Sequence, residues 1–152
     1  MEDTAIRIYG TWSAKCIGPD GNIKDSFKDS KNVICTNGKE FLANFLQSSV
    51  TAATSFDMTF IAIGTDSTAA DAANTALGVE VARADATTVT YTSGAIYELT
   101  RTFTTGTATG AIVEYGVISS STGGTLLSRN VESVINVGAA DQLIVTCQIT
   151  FS

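Results

Sequence analysis

The sequence contains no histidine, and it has only one proline and three cysteines among 152 residues. Without histidine, the chain lacks a common zinc ligand and the usual general base of nucleophilic catalysis. Cys16, Cys35 and Cys147 are far apart, form no CxxC pair and lie among strand-like residues. We therefore expect three reduced, buried cysteines, with no metal site and no cofactor.

Basic residues and long apolar runs are also scarce. Nine Lys and Arg against fifteen Asp and Glu give a net charge of −6, and no lysine follows Lys39. Nucleic-acid binding normally needs a basic footprint, so we expect no nucleic-acid partner. The longest apolar runs are too short to cross a bilayer, so we expect no membrane partner.

The remaining composition is that of a globular domain. The apolar fraction is 44% and the mean hydropathy is +0.21, which excludes disorder, and 152 residues fit one domain over residues 1–152. The first residues, Met-Glu-Asp-Thr, lack the basic and apolar regions of a secretory signal. The sequence therefore predicts folding in the cytoplasm where the chain is made.

Alternation of apolar and polar residues dominates the sequence. In QLIVTCQITF, residues 142–151, every second residue is apolar, and AIRIYGTWSAKC near the start follows the same rule. About eight short, Thr-rich strands separated by turn signals such as Ser93-Gly94 predict an all-β fold. We expect an antiparallel β-sandwich of jelly-roll or related Greek-key type. Its predicted core residues are Trp12, Leu99, Phe103, Val145, Ile149 and Phe151.

One stretch breaks the alternation and predicts a single short helix. Phe41, Leu42, Phe45 and Leu46 recur at helical spacing after Asn37, a candidate N-cap residue with Glu40 three positions later. We expect Phe41 and Phe45 to dock this helix against an open end of the sandwich.

The stretch FIAIGTDSTAADAANTALGVEVAR, residues 60–83, has two features of ligand-binding loops. A phosphate cradle at Gly64–Ser67 would need a glycine-rich turn and usually a lysine, but IGTDSTAAD has one glycine and no lysine. A calcium loop would need closely alternating oxygen ligands, whereas Asp66, Asp71 and Glu80 are scattered. Neither site is predicted.

Two weaker alternatives concern glycans. Glu98 and Glu114 lie on neighbouring predicted strands and are a candidate carboxylate pair for a glycan-active enzyme. The favoured interpretation is that they are solvent-facing strand charges, like Arg101 and Arg129, which support cross-strand pairs. An aromatic platform for sugar stacking is the other alternative, although core packing is the favoured role for its candidates. These candidates are Trp12, Tyr9, Tyr91, Tyr97 and Tyr115.

Several segments in order resemble a family of small tailed-bacteriophage virion proteins. They are NVICTNGKEFLANFL, then MTFIAIGTDSTAADAANTALGVEVAR, then EYGVISSSTGGTLLSR and the closing alternating strand. The third of these segments is similar to the family patterns E-x-G-[LV] and G-G-x-L-L-[AS]-R. The chain differs in having Asp66 where the pattern usually has Gly, and Cys35 and Thr36 where other strand-end residues occur.

This resemblance implies a non-enzymatic virion protein. The expected function is that of a capsid decoration, or cement, protein, which binds the major capsid protein on the outer capsid surface as a homo-oligomer, with a trimer favoured. Its location would then be the virion, after synthesis in the cytoplasm of the bacterial host. A tail-fibre module that recognises host glycans is the alternative, and a small glycan-active enzyme is a further one.

Residues 65–77 are predicted to form an interface arm. Between Ile63 and Leu77 there is no large apolar side chain, so we expect this stretch to contribute more to assembly than to folding. A surface excursion, or a short helical turn over residues 69–75, is the alternative. The predicted interface residues are Thr65, Asp66, Ser67, Thr68, Asp71, Asn74, Thr75 and Leu77.

Overall fold

The computed structural model describes residues 5–47, 57–92 and 95–152 of the chain. These residues form ten strands and one helix, α1, at Thr36–Gln47. The strands are β1 (Ile8–Ile17), β2 (Ile23–Lys31), β3 (Val33–Ile34), β4 (Phe60–Gly64), β5 (Glu80–Asp85), β6 (Thr88–Thr92), β7 (Ile96–Phe103), β8 (Gly110–Ile118), β9 (Leu126–Val137) and β10 (Gln142–Phe151). The turn predicted at Ser93-Gly94 lies outside the described residues.

The strands form two five-stranded sheets that pack face to face. Sheet 1 has the order β2-β1-β10-β7-β6, and sheet 2 has the order β3-β9-β8-β4-β5. Every described strand pair is antiparallel. The predicted antiparallel β-sandwich with one short helix is thereby confirmed, while its jelly-roll or Greek-key type is not.

The main core lies between the sheets, as the alternation predicts. β10 is central to sheet 1, and its Cys147 pairs with Trp12 of β1 on one side and Leu99 of β7 on the other. Of the six predicted core residues, five are at most 1% exposed, and Phe151 is half-buried against the same cluster. All three cysteines are buried and free of disulfides, as expected for reduced core cysteines.

Helix α1 begins slightly earlier than predicted. The carbonyl of Cys35 accepts a hydrogen bond from the Lys39 N–H at 3.1 Å, so Cys35 occupies the cap position and Asn37 lies inside the first turn. Phe41 packs against the main core, as expected. Phe45 borders the same end of the sandwich but is 43% exposed, so the docking relies on Phe41 and its neighbour Leu42.

The outer face of sheet 2 carries a second, smaller apolar cluster. Because Ile61 and Ile63 of β4 point into the main core, Ala62 between them points to the outer face. There it joins four other buried residues, Cys35, Leu77, Ile118 and Leu126. Leu77 belongs to the segment between β4 and β5, residues 65–79, and this 65–79 segment therefore packs on its own sheet.

Replacement of Ile149 by Ala tests the main core. Ile149 is fully buried, so the loss of its side-chain carbons should lower the free energy of unfolding by about 2–5 kcal/mol. Thr150→Ala, on the opposite face of the same strand, is the control and should change it by less than about 1 kcal/mol. Denaturant unfolding followed by Trp12 fluorescence measures both, and equal midpoints for the two variants would contradict this assignment of the faces.

Candidate functional site

The 65–79 segment is held against its own sheet by backbone hydrogen bonds at several points. The Thr65 N–H donates to the Val79 carbonyl at 2.9 Å, which closes the base of the segment. Farther out, the Thr36 N–H at the start of α1 donates to the Ala72 carbonyl at 2.8 Å. A turn joins Asp71 and Asn74, and none of the residues 65–79 is helical, so the alternative of a short helical turn is wrong.

A buried ion pair lies beneath the segment. Glu114 of β8 is fully buried, and Arg129 of β9 is 2% exposed. The Arg129 guanidinium donates to Glu114 Oε2 through Nε at 3.0 Å and through Nη2 at 2.9 Å. The prediction that these two residues are solvent-facing strand charges is wrong. The outer face of sheet 2, where they lie, is covered by the 65–79 segment.

The remaining donors of Arg129 bind the segment itself. Nη1 donates to the Thr68 carbonyl at 3.0 Å, to the Ala69 carbonyl at 3.4 Å and to Asn74 Oδ1 at 3.2 Å. Nη2 also donates to Asp66 Oδ2 at 3.1 Å. One planar guanidinium thus fixes the outgoing and returning halves of the segment at the same time.

Glu114 fixes the base of the segment from the other side. Its Oε1 accepts the N–H groups of Asp66 at 3.2 Å and Val79 at 2.8 Å, and its Oε2 accepts the Gly78 N–H at 2.9 Å. Together with the two bonds from Arg129, the carboxylate accepts five hydrogen bonds, which compensate for its removal from water. A side chain at Gly64 would collide with this carboxylate, so the strand can end here only with glycine.

The segment also closes the second apolar cluster. Leu77 is 8% exposed, and a Cβ placed on Gly116 of β8 would lie only 2.5 Å from its Cδ1. The expectation that residues 65–77 contribute little to folding is therefore at odds with the structure. Removal of this stretch would uncover the cluster and leave Glu114 and Arg129 without most of their partners.

The eight predicted interface residues divide into three groups. Thr65, Asp66 and Asn74 are partly buried and Leu77 is buried, so these four hold the segment in place. The side chains exposed to solvent are Ser67, Thr68, Asp71 and Thr75. What the segment offers to a partner is thus a small, fixed surface of short polar side chains rather than a mobile arm.

A second arginine extends this surface to the hairpin loop between β8 and β9. Arg83 of β5 binds both carboxylate oxygens of Glu80, at 3.0 Å through Nε and at 2.7 Å through Nη2. Its Nη1 donates to the carbonyls of Ser120 at 2.9 Å and Gly123 at 2.7 Å. The hairpin loop is thereby tied to β5, the strand into which the segment leads.

The structure separates the residues on which the glycan alternatives depend. Glu98 lies on the outer face of sheet 1, where it accepts a hydrogen bond from Gln148, whereas Glu114 lies on the outer face of sheet 2. The two carboxylates therefore do not form a pair. Likewise, Trp12 and Tyr115 are buried in the main core, as the packing interpretation predicts. Tyr9 and Tyr91 are exposed on different faces of sheet 1 and do not make one platform.

The described part of the chain contains neither a cluster of metal ligands nor a membrane-spanning helix. Within residues 5–47, 57–92 and 95–152, no group of three or more Cys, Asp or Glu side chains is arranged to hold a metal ion. In the same residues no helix has the length and apolar character needed to cross a membrane.

Comparisons with known proteins gave no match. The chain matched no protein-family model, no curated protein and no solved structure. The sequence pattern and the geometry of the 65–79 segment are therefore the basis for the proposed function.

A double-mutant cycle on Glu114 and Arg129 tests the ion pair. Arg129→Met leaves a buried carboxylate without its counter-ion, and should lower the free energy of unfolding by about 3–5 kcal/mol. The double variant, with Arg129→Met and Glu114→Gln together, should lose about 1–3 kcal/mol less free energy of unfolding than the sum of the losses in the two single variants. Arg7→Met, at an exposed arginine, is the control, and additive effects of the two buried changes would contradict the coupling.

Asp66 gives the segment a dependence on pH. Hydrogen bonds from the Thr68 N–H and hydroxyl, together with Arg129, hold the pKa of Asp66 below its ordinary value. The folded state therefore favours the ionised carboxylate, and its stabilisation is present above the unfolded-state pKa of about 3.9 and is lost as the pH falls further. The stability difference between wild type and Asp66→Asn should be constant from about pH 5 to 7 and should shrink below about pH 4. Unfolding curves across this range measure it, and a difference that grows in acid would contradict the assignment.

Proposed function

We propose that this chain is a structural protein of a tailed-bacteriophage virion, and that it decorates the outside of the capsid. The observation that carries the proposal is a convergence in space. Three of the four segments on which the sequence resemblance depends meet around one structural unit, the Glu114–Arg129 pair and the 65–79 segment. A pattern of scattered motifs whose residues contact one another is more specific than the same motifs taken singly.

The convergence can be followed residue by residue. IAIG ends β4 at Gly64, directly against the Glu114 carboxylate, and NTALG supplies Asn74 and Leu77 to the segment. EYG provides Glu114 itself, and LLSR provides Arg129. Asp66, where the family pattern usually has Gly, adds a second carboxylate to the arginine in this chain.

A fixed polar surface suits attachment to a shell. Ordering of a mobile loop on binding would cost conformational entropy, and the hydrogen bonds of Arg129 and Glu114 already hold this segment before any partner arrives. The exposed side chains are short, so their own ordering also costs little. In the proposed role, Ser67, Asp71 and Thr75 contact the major capsid protein, and the neighbouring Arg83-bound hairpin loop borders the contact.

The proposed mechanism is stabilisation by preferential binding. A decoration protein that binds the assembled lattice, and not the separated capsid subunits, shifts the equilibrium towards the intact shell. A homo-oligomer, with the trimer as the expected form, would bring several copies of the 65–79 surface to the lattice at once. Each copy then adds to the buried area, and the combined attachment is tighter than that of one copy.

Particles with and without the protein test this function. Particles that lack it should release their DNA at a lower temperature, and addition of the purified protein should restore the wild-type release temperature. Equal release temperatures for bare and decorated particles would contradict a stabilising role. The copy number per particle separates a decoration protein from a tail-fibre module, since only a decoration protein is present in hundreds of copies.

Substitutions on the exposed side of the 65–79 segment test the proposed contact. Ser67→Lys together with Thr75→Lys should reduce occupancy on bare particles at least about tenfold, because two long charged side chains would be buried at the contact. Thr104→Lys with Ala139→Lys, at exposed turn positions outside both the segment and the Arg83-bound hairpin loop, makes the same change in net charge and should leave occupancy unchanged. Equal losses for the two double variants would show a general charge effect and contradict the assigned contact.

A further inference from the structure

One edge strand of sheet 1, β6, differs in its sequence from the other three edge strands in the described part of the chain. This edge is β6, Thr88–Thr92, with the sequence TVTYT, and all five residues are exposed. It has no charged residue, no proline and no glycine. Natural sheets usually protect such an edge with charges, bulges or very short strands, because its free backbone groups can pair with another strand.

The other three edges carry that protection. β2 has five charged residues and bends through Asp29, whose φ is +54°. β5 contains Glu80, Arg83 and Asp85, and β3 is only two residues long. The missing protection is therefore specific to β6 among the described edges.

We propose that β6 is a self-association edge, which pairs antiparallel with β6 of a second copy of this chain about a two-fold axis at Thr90. The sequence fits this contact because TVTYT has the same pattern of residue types in both directions. With Thr90 opposite Thr90 of the second copy, Val89 faces Tyr91 and Thr88 faces Thr92, each pair occurring twice. Aromatic pairs with β-branched residues, and Thr pairs, are favourable cross-strand combinations.

The faces of the strand agree with this register. Val89 pairs with Leu99 and Tyr91 pairs with Tyr97 within sheet 1, so both side chains point to the core side of the sheet. They are nevertheless 46% and 76% exposed, because they lie at its margin. The two-fold pairing would bring the Val89 and Tyr91 side chains of both copies together on one face, and would remove apolar surface from water.

The absence of charge on β6 also favours a second copy of this chain as the partner. In a two-fold contact each residue meets the same surface of the second copy, so a charged residue on the axis faces its own like charge. The chain carries a net charge of −6, and two copies repel each other in general. β6 is an edge at which two copies can pair without placing like charges opposite each other. The contact is independent of the proposed function and of any three-fold contact within a trimer.

Thr90→Lys tests the proposal in solution. Wild-type protein should self-associate with a dissociation constant at or below about 0.1 mM, and Thr90→Lys should weaken this at least about tenfold, because two ammonium groups would meet on the axis. Thr122→Lys, with the same charge change on an exposed loop, should associate like wild type. Sedimentation equilibrium measures all three, and circular dichroism checks that each is folded. A wild-type chain that shows no association at this concentration, or an oligomer whose mass Thr90→Lys does not reduce, overturns the proposal.

Cysteine cross-linking tests the proposed β6–β6 register separately, and it remains a test even if the Thr90→Lys variant does not fold. Directly opposed residues have Cα atoms about 4.5–5.5 Å apart, within disulfide range, so Thr90→Cys should form a disulfide-linked dimer under mild oxidation. Thr88→Cys should not cross-link to itself, since its two copies would be about 13 Å apart, but should cross-link to Thr92→Cys when the two are mixed. The native cysteines are buried and should not interfere. Cross-linking of Thr90→Cys no faster than that of Thr104→Cys, an exposed position off the edge, overturns the two-fold register.

Discussion

The buried contact between Glu114 and Arg129 is the interaction on which the outer side of sheet 2 depends. Two opposite charges removed from water are stable only if their remaining hydrogen-bonding groups also find partners. Here the 65–79 segment supplies those partners, with three N–H groups for the carboxylate and backbone and side-chain oxygens for the guanidinium. The pair needs the segment, and the segment, which has little apolar surface of its own, needs the pair. The burial of the ion pair and the conformation of the segment therefore depend on each other.

This mutual dependence explains how a segment rich in Ala, Thr and Asp has a defined conformation. Burial of Leu77 alone gives one anchor on the second apolar cluster, which leaves the rest of the segment free to rotate. Arg129 adds anchors at Asp66, Thr68 and Asn74. Since the rigid fork of a guanidinium directs its donors, these anchors fix the position and also the orientation of the segment. The exposed residues between the anchors thereby become a surface of constant shape.

The sequence predicts the central strands of sheet 1 well, and the physical reason is that they have one buried face. β10 and β1 alternate between core and exterior, and their core residues follow from the period of two. β8 and β9 are different because the segment covers their outer face, so their central residues are buried on both sides and the alternation is lost. The two-residue strand β3 is too short to give any periodic signal. The strand count from the pattern is accordingly lower than the ten strands that the structure describes.

The sequence predicted an irregular segment between β4 and β5, but it predicted neither the contacts that hold this segment nor the burial of Glu114 and Arg129 beneath it. The lack of large apolar side chains between Ile63 and Leu77 correctly indicates an irregular segment, yet it gives no sign that polar contacts attach the segment to the sheet. Glu114 and Arg129 are fifteen positions apart on adjacent strands. A charged residue in a predicted strand is expected to face solvent unless its ion-pair partner and the segment that covers it are known. One local signal does exist. Gly64 ends the apolar strand β4, and Gly116 lies within β8 two residues after Glu114; the 65–79 segment approaches the sheet closely at both glycines. A glycine in an apolar strand that lies close to a single charged residue, in sequence or on the paired strand, therefore indicates that the strand is buried on both faces.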